Sequence, residues 1–447
     1  MRGEARVLPQ SGSRARLLDA AAVYGLVTLA VFVFAAPHTL AAHTPYNHFA
    51  LLAESWLAGR LDLGGPPPSY TGNNDFAWFA GRHYVVFPAF PALLLLPWVA
   101  LVGAAERVRD GVFFLLLSGV GPAVAYLALD KLSRVQQSGR QRWENLVLAL
   151  LLAFGSVYFF SAVQGTVWFA AHVVAVALAA LYLYFSIGAE RPLLAGLMLG
   201  LGFATRSPLI FAAPLFVLEA VRVAAGSSPP CVLREPLAYL GGLDRRRLGL
   251  SLLRFSAPLA VVLCLVLAHN FARFADPLEF GYRYLTVVWQ ARIEKWGLFD
   301  YHYLARNLGV LLTSLPWLPG TAGGPFQINH HGLALWVTSP FYVLLLWPRK
   351  QSAVQPALWA GALGAALPSL FYQNTGWLQF GYRFSNDYVV FLFALLAVSG
   401  WSLRRGFAAM AVWAVLVNAF GAISFDRADY RHFYFTDRTQ RILYEPD

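Results

Sequence analysis

Apolar runs of bilayer-spanning length recur along the whole chain, and they fix its solvent before any motif is considered. A helix needs ~20 mostly apolar residues to cross the hydrocarbon. Such runs cover Leu17–Ala36, Gly111–Leu129, Glu144–Ala162, His172–Ile187, Pro192–Ala204, Pro208–Val221, Leu252–Ala268, Gly332–Trp347, Pro356–Phe371, Tyr388–Leu403 and Phe407–Ile423. Only 13% of the residues are charged, against about 25% in soluble domains. The sequence therefore predicts an all-α integral membrane protein, one domain over residues 1–447, with about eleven transmembrane helices.

Charge sets the direction of the spans. The net charge of +11 lies in short basic clusters between apolar runs, the habit of cytoplasmic loops rather than of a nucleic-acid surface. One further run, Phe87–Gly103, carries Pro88, Pro91 and Pro97. Counted as a span, it would put Lys131, Arg134, Arg140 and Arg142 outside. Read as an interfacial helix, it keeps them inside together with Arg222–Arg247, Arg349–Lys350 and Arg404–Arg405, as the positive-inside rule prefers. The expected topology is a cytoplasmic N-terminus in the inner membrane, an outer tail at Phe425–Asp447, and large outer loops at 37–110 and 269–331. His48–Gly59 places Phe49, Leu52, Ala53 and Trp56 at helical spacing, so the first outer loop should carry amphipathic interfacial helices. Met1–Arg16 is basic, and the apolar run after it shows no clear small-residue cleavage site, so the first segment is expected to stay as a span. Cys231 and Cys264 are the only cysteines and suggest neither a disulfide nor a metal framework.

With this topology the conspicuous polar motifs collect at one membrane face. Asp75 sits in Asn73-Asn74-Asp75, flanked by Phe76, Trp78 and Phe79. Amides such as Asn74 bond sugar hydroxyls, aromatic faces stack on the ring, and a carboxylate takes the proton of a nucleophile. A turn acid capping a helix is an equally open reading. Glu54 lies on the amphipathic helix, where a solvated face is the commoner explanation. His48, His83, His172, His330 and His331 lie near the same surface without metal-motif spacing, and His48 opens the helix. No cofactor is required by the pattern. Two outer acids close in space would suit a divalent ion.

Arginines carry the firmest chemical signal. Arg206 lies between two short apolar runs, where a charge is costly and marks a functional partner. With Arg273, Arg283 and Arg383 it could hold a lipid-linked phosphate by charge-assisted bonds. Phe280-Gly281-Tyr282-Arg283-Tyr284 is echoed by Phe380-Gly381-Tyr382-Arg383-Phe384. Two belts with snorkelling arginines and two cationic arms closing on one anion both fit that echo.

The layout of these residues resembles a known superfamily. The resemblance rests on one span, then NHFALLAESWLAGRLDL (residues 47–63), an acid-bearing turn, GRHYVVFPAFPALLLLP (81–97), GTVWFAAH (165–172), the Ala195–Arg206 run and the FGYR segments. It points to the GT-C membrane glycosyltransferases, and within them to the bacterial branch of protein O-mannosyltransferases and aminoarabinose transferases. It implies a GT-C-like helix bundle, a polyprenyl-phosphate sugar donor, transfer with inversion to an acceptor hydroxyl, and action at the outer face. The family's acid after the first span has no counterpart before His48, where Tyr46-Asn47-His48 stands. Asp75, Glu54 or His48 is then the base, or transfer has been lost. Arg206 matches the family's basic residue. Arg206, Arg383, Arg283, Tyr382, Gln379, Asn74, Trp78, Trp168 and Trp377 are the expected donor and acceptor contacts, and the Phe87–Gly103 helix is expected to border a lipid-tail groove. The partners implied are the lipid-linked donor, an acceptor that is protein, lipid or glycan, and the bilayer. A lipid-linked-saccharide flippase and a silent lipid-binding scaffold are the rival readings.

Overall fold

The computed structural model describes residues 12–226, 242–287, 290–318 and 324–436; Cys231 and the end of the expected outer tail lie outside them. Along the chain run α1 (Ser13–Phe34), α2 (His48–Leu57), the hairpin β1 (Phe76–Phe79) and β2 (Arg82–Val85), α3 (Phe90–Val102), α4 (Asp110–Arg134), α5 (Arg142–Phe154), α6 (Val167–Ala189), α7 (Pro192–Phe203), α8 (Ser207–Ala224), α9 (Arg245–Phe274), α10 (Gln355–Leu370), α11 (Val389–Val398) and α12 (Arg405–Ser424).

Six of these, α1, α4, α6, α8, α9 and α12, are long and apolar enough to cross a bilayer, which makes the chain a multi-pass membrane protein. The other five apolar runs do not form spans of full length. Glu144–Ala162 stops at Gly155 and resumes as a separate turn at Tyr158–Ala162. Gly332–Trp347 becomes Leu335–Thr338 followed by a 3-10 turn from Pro340, a residue with no N–H to continue the ladder. The remaining three are helices of 12, 16 and 10 residues. α3 has 13 residues, about 20 Å at 1.5 Å each, and cannot cross a ~30 Å core alone. It packs on α2.

Apolarity all round a helix demands burial, and α6 is the case in point. It is the central helix, with 83% of its apolar window buried, whereas α9 has 11% buried and stands at the periphery. α9 is held to α7 by a small-residue seam. A Cβ on Gly196 would lie 1.9 Å from the Phe255 carbonyl oxygen, and one on Gly200 would lie 3.0 Å from Val262. Gly196-x-x-x-Gly200 is the spacing that lets two helices approach in lipid. Gly196→Leu should therefore force the pair apart and destabilise the chain by about 1–3 kcal/mol. Gly249→Leu, on α9 with nothing within 4 Å of its Cβ, should leave the melting temperature in detergent unchanged.

Two carboxylates fix the segments that lead to the α2–hairpin region. Asp19 of α1 takes Arg142 of α5 through both oxygens at 2.7 and 2.6 Å, and the Tyr126 hydroxyl of α4 at 2.5 Å. Asp110, first residue of α4, accepts from the Thr44 N–H and hydroxyl, both at 2.7 Å. That pins the chain just before α2 against α4.

Candidate active site

Asp75 ends the turn Gly72-Asn73-Asn74-Asp75, in which Gly72, Asn73 and Asp75 all have positive φ, conformations that Gly, Asn and Asp tolerate best. His48 supports the turn from below. Its Nε2 lies 2.8 Å from the Asn74 carbonyl oxygen, and its ring stacks on Phe76 at 4.3 Å. Burial pushes the imidazole down to about 4, so it is neutral and Nε2 carries the donated proton. The ring is 0% exposed, which makes His48 a brace for the acid rather than a group that meets substrate. Asn74 serves the same turn through its carbonyl.

Asp75 is half-buried. Its Oδ2 accepts from Trp168 Nε1 at 2.8 Å, and Trp168 is itself wedged against Tyr46 at the entry to α6. Burial pushes the Asp75 carboxyl above its ordinary value, with the indole bond and the nearby Arg383 charge opposing the rise.

Arg383 is buried at 7% exposure. Its guanidinium lies 5.2 Å from the Phe169 ring centre and 5.7 Å from that of Phe384. Among the described residues no carboxylate forms an ion pair with it, though the charges of Asp75 and Asp387 are felt there, and its Nε is buried without a partner. Burial, followed by the charge of Arg206, lowers its pKa to about 9. Arg206, in the break between α7 and α8, faces the same Phe384 ring at 5.2 Å. It is committed to Asp387, with Nε–Oδ1 at 2.9 Å and Nη2–Oδ2 at 2.6 Å. His172 Nδ1 lies 3.4 Å from the same Oδ1 that accepts from Arg206 Nε. Burial alone would raise the Asp387 carboxyl, but Arg206 and His172 hold it below its ordinary value. Tyr282 and Tyr372 complete the group. Burial raises both phenols, and each feels the charges of Asp75 and Arg206.

The two FGYR copies turn opposite members inward. In the second, Arg383 enters the site while the Tyr382 hydroxyl donates to Ser369 Oγ at 3.1 Å in the core. In the first, Gly281 at φ +89° redirects the chain, so that Tyr282 joins the site and Arg283 points away, 73% exposed and 3.5 Å from Glu279. The expectation that Arg283 and Arg383 close on one anion is thus corrected.

Other expected contacts are also elsewhere. Trp78 is 51% exposed and faces His83 across the hairpin at 4.4 Å. Trp377 packs on His331 at 4.7 Å. Gln379 is a buried clamp, donating from Nε2 to the His331 and Thr375 carbonyls and accepting from the Arg383 N–H on Oε1. Glu54 caps the Ala105 N–H at 3.3 Å beside a polar cavity of about 200 Å³ shared with Arg60 and Glu106. Among the described residues no group of three or more His, Cys, Asp or Glu converges as a metal site.

An apolar cavity of about 260 Å³ lies close by, bordered by Phe90 and Leu93 of α3, Leu201 and Phe203 of α7, Leu265 of α9, and Trp56 of α2.

No known sequence family matches the chain, and no curated protein does. The fold, however, has solved counterparts. The oligosaccharyltransferase of Archaeoglobus fulgidus in its apo form superposes with a TM-score of 0.52 at 13% identity, over 92% of this chain and 56% of that one. The same enzyme tethered to an acceptor peptide gives 0.53 at 13% identity, over 96% and 60%. The chain spans less than two thirds of their length, and the likeness at this identity is one of fold. Nothing in it singles out the bacterial O-mannosyltransferase and aminoarabinose branch. The architecture this chain shares is that of the covered part of these two structures.

Proposed function

We propose that the chain is an inverting glycosyltransferase that moves a sugar from a polyprenyl-phosphate donor to an acceptor hydroxyl at the outer face of the inner membrane. The observation that carries this reading is Arg383, a buried guanidinium with no carboxylate ion pair among the described residues. An unpaired buried charge is costly, and an anionic ligand relieves that cost. Arg383 with Arg206 would hold the donor phosphate, and the two cations would stabilise the negative charge that grows on it as the glycosidic bond breaks. Asp75 would take the proton of the acceptor hydroxyl. That oxygen bonds to the anomeric carbon from the face opposite the phosphate, and the phosphate leaves with the electron pair of the broken C–O bond. The raised pKa of Asp75 suits a base working near neutral pH. The fold's likeness to an oligosaccharyltransferase supports the class. The acceptor peptide tethered in one of those structures makes a protein acceptor the first to try.

The test is release of polyprenyl phosphate from a panel of polyprenyl-phosphate sugars by the purified chain. Arg383→Gln should weaken donor use about 10-fold or more, the worth of one charge-assisted bond. Release by neither wild type nor variant, with donor still bound, would instead favour the silent scaffold.

A further inference from the structure

The same question of counter-ions, asked of every buried guanidinium near the site, singles out Arg273. It is the penultimate residue of α9 and is 6% exposed. Nη1 donates to the Val85 carbonyl at 2.8 Å and Nη2 to Asn270 Oδ1 at 2.8 Å, while Nε is buried without a partner. Two of the five N–H groups of a guanidinium are then used, and among the described residues no carboxylate forms an ion pair with it, Glu279 acting only as a nearby charge. Unlike Arg206 and Arg383, Arg273 lines the apolar cavity, together with His269 and Asn270. His269 Nε2 is likewise buried without a partner, and its ring meets Trp56 edge-on at 5.9 Å. The other walls are apolar, with Phe90 and Leu93 from α3, Leu201 and Phe203 from α7, and Leu265 of α9 itself.

Apolar walls that end on a cation with spare donors are complementary to an amphiphile with an anionic head. We propose that this cavity is a second station for a lipid phosphomonoester, with the first isoprenoid units between α3, α7 and α9 and the phosphate on Arg273. A head bound there lies apart from the Arg206–Arg383 pair, which does not line the cavity. Tyr282 senses the charges of both Arg273 and Arg206. That the lipid is the sugar carrier rests on the transferase reading. That the cavity takes a prenyl phosphate does not.

The experiment is equilibrium binding of farnesyl phosphate to the full chain in detergent, with farnesol and inorganic phosphate as separate arms. Farnesyl phosphate should bind at least about 10-fold more tightly than either half, since head and tail sites are both engaged. Arg273→Gln should weaken it about 10-fold. Leu93→Trp, a change at a half-exposed cavity residue that leaves the Arg273 bonds intact, should weaken it comparably by filling the space, even where Arg273→Gln lowers folding yield. Arg82→Gln, at an exposed hairpin arginine outside both stations, should leave this affinity within about 2-fold, well below the tenfold step of one lost charge-assisted bond. Loss of binding in Arg383→Gln with no change in Arg273→Gln would overturn the proposal, as would inorganic phosphate binding as tightly as farnesyl phosphate, or no effect of Leu93→Trp. Failure of the transferase reading would show separately, as an absence of donor cleavage with this binding pattern intact.

Discussion

Asp75→Asn is expected to lower kcat for sugar transfer about 10²–10⁴-fold, the usual contribution of a positioned base, with donor affinity and melting temperature little changed. The amide keeps an oxygen to accept from Trp168 Nε1, so the turn and its brace through His48 persist, and only the proton acceptor is removed. The pH profile gives an independent reading. The active form is the carboxylate, and burial raises its pKa. Activity should therefore fall as pH drops through that raised value, at a pH above the ordinary carboxylate range. Arg383 is among the influences that hold the pKa down, so Arg383→Gln should move the acid limb to still higher pH. A purely structural Asp75 would leave the limb where it was. His48, neutral across the range, should add no inflection of its own.

The second large effect concerns stability. Arg206→Met leaves Asp387, fully buried, with only His172 beside it. Removing one member of a buried ion pair costs about 3–5 kcal/mol, because the remaining charge has lost its compensation. Replacing both, as in Arg206→Met with Asp387→Leu, should recover most of that loss, since apolar side chains of similar volume need no solvation. Thermal unfolding of the four proteins in one detergent measures the coupling. Additive losses would mean that the pair is held by packing around it rather than by its charges.

Much of the site was visible in the residues, each part for its own reason. Asp75 stood out because amides and aromatics surround it in the chain, and Arg206 because a charge at membrane level demands a partner. Its partner carries the same signal. Asp387 stands two residues before the wholly apolar run Val389–Val398, so the argument applied to Arg206 applies to it unchanged. Tyr282 and Tyr372 carried no such signal, because a tyrosine among many aromatics near a membrane surface is unremarkable until the chain is folded. Arg283 misled because sequence similarity between two segments says nothing of backbone sign at the glycine, and Gly281 alone has the left-handed turn. The fold class was legible from apolar length, whereas the number of full spans was not. Composition fixes which residues avoid water, but Gly155 and Pro340 decide whether the helix through them stays unbroken.

α9 has a consequence for how any long-chain ligand reaches the interior. It is 30 residues long, about 45 Å at 1.5 Å per residue against a hydrocarbon core of ~30 Å, so it must tilt or protrude. It is also the least embedded of the spans and supplies one wall of the apolar cavity. If the cavity takes a prenyl phosphate as proposed, the tail reaches it past this one outermost helix, joined to its neighbour by a glycine seam. Its threshold is then sideways, from lipid to protein, and the tail never has to cross water to be received.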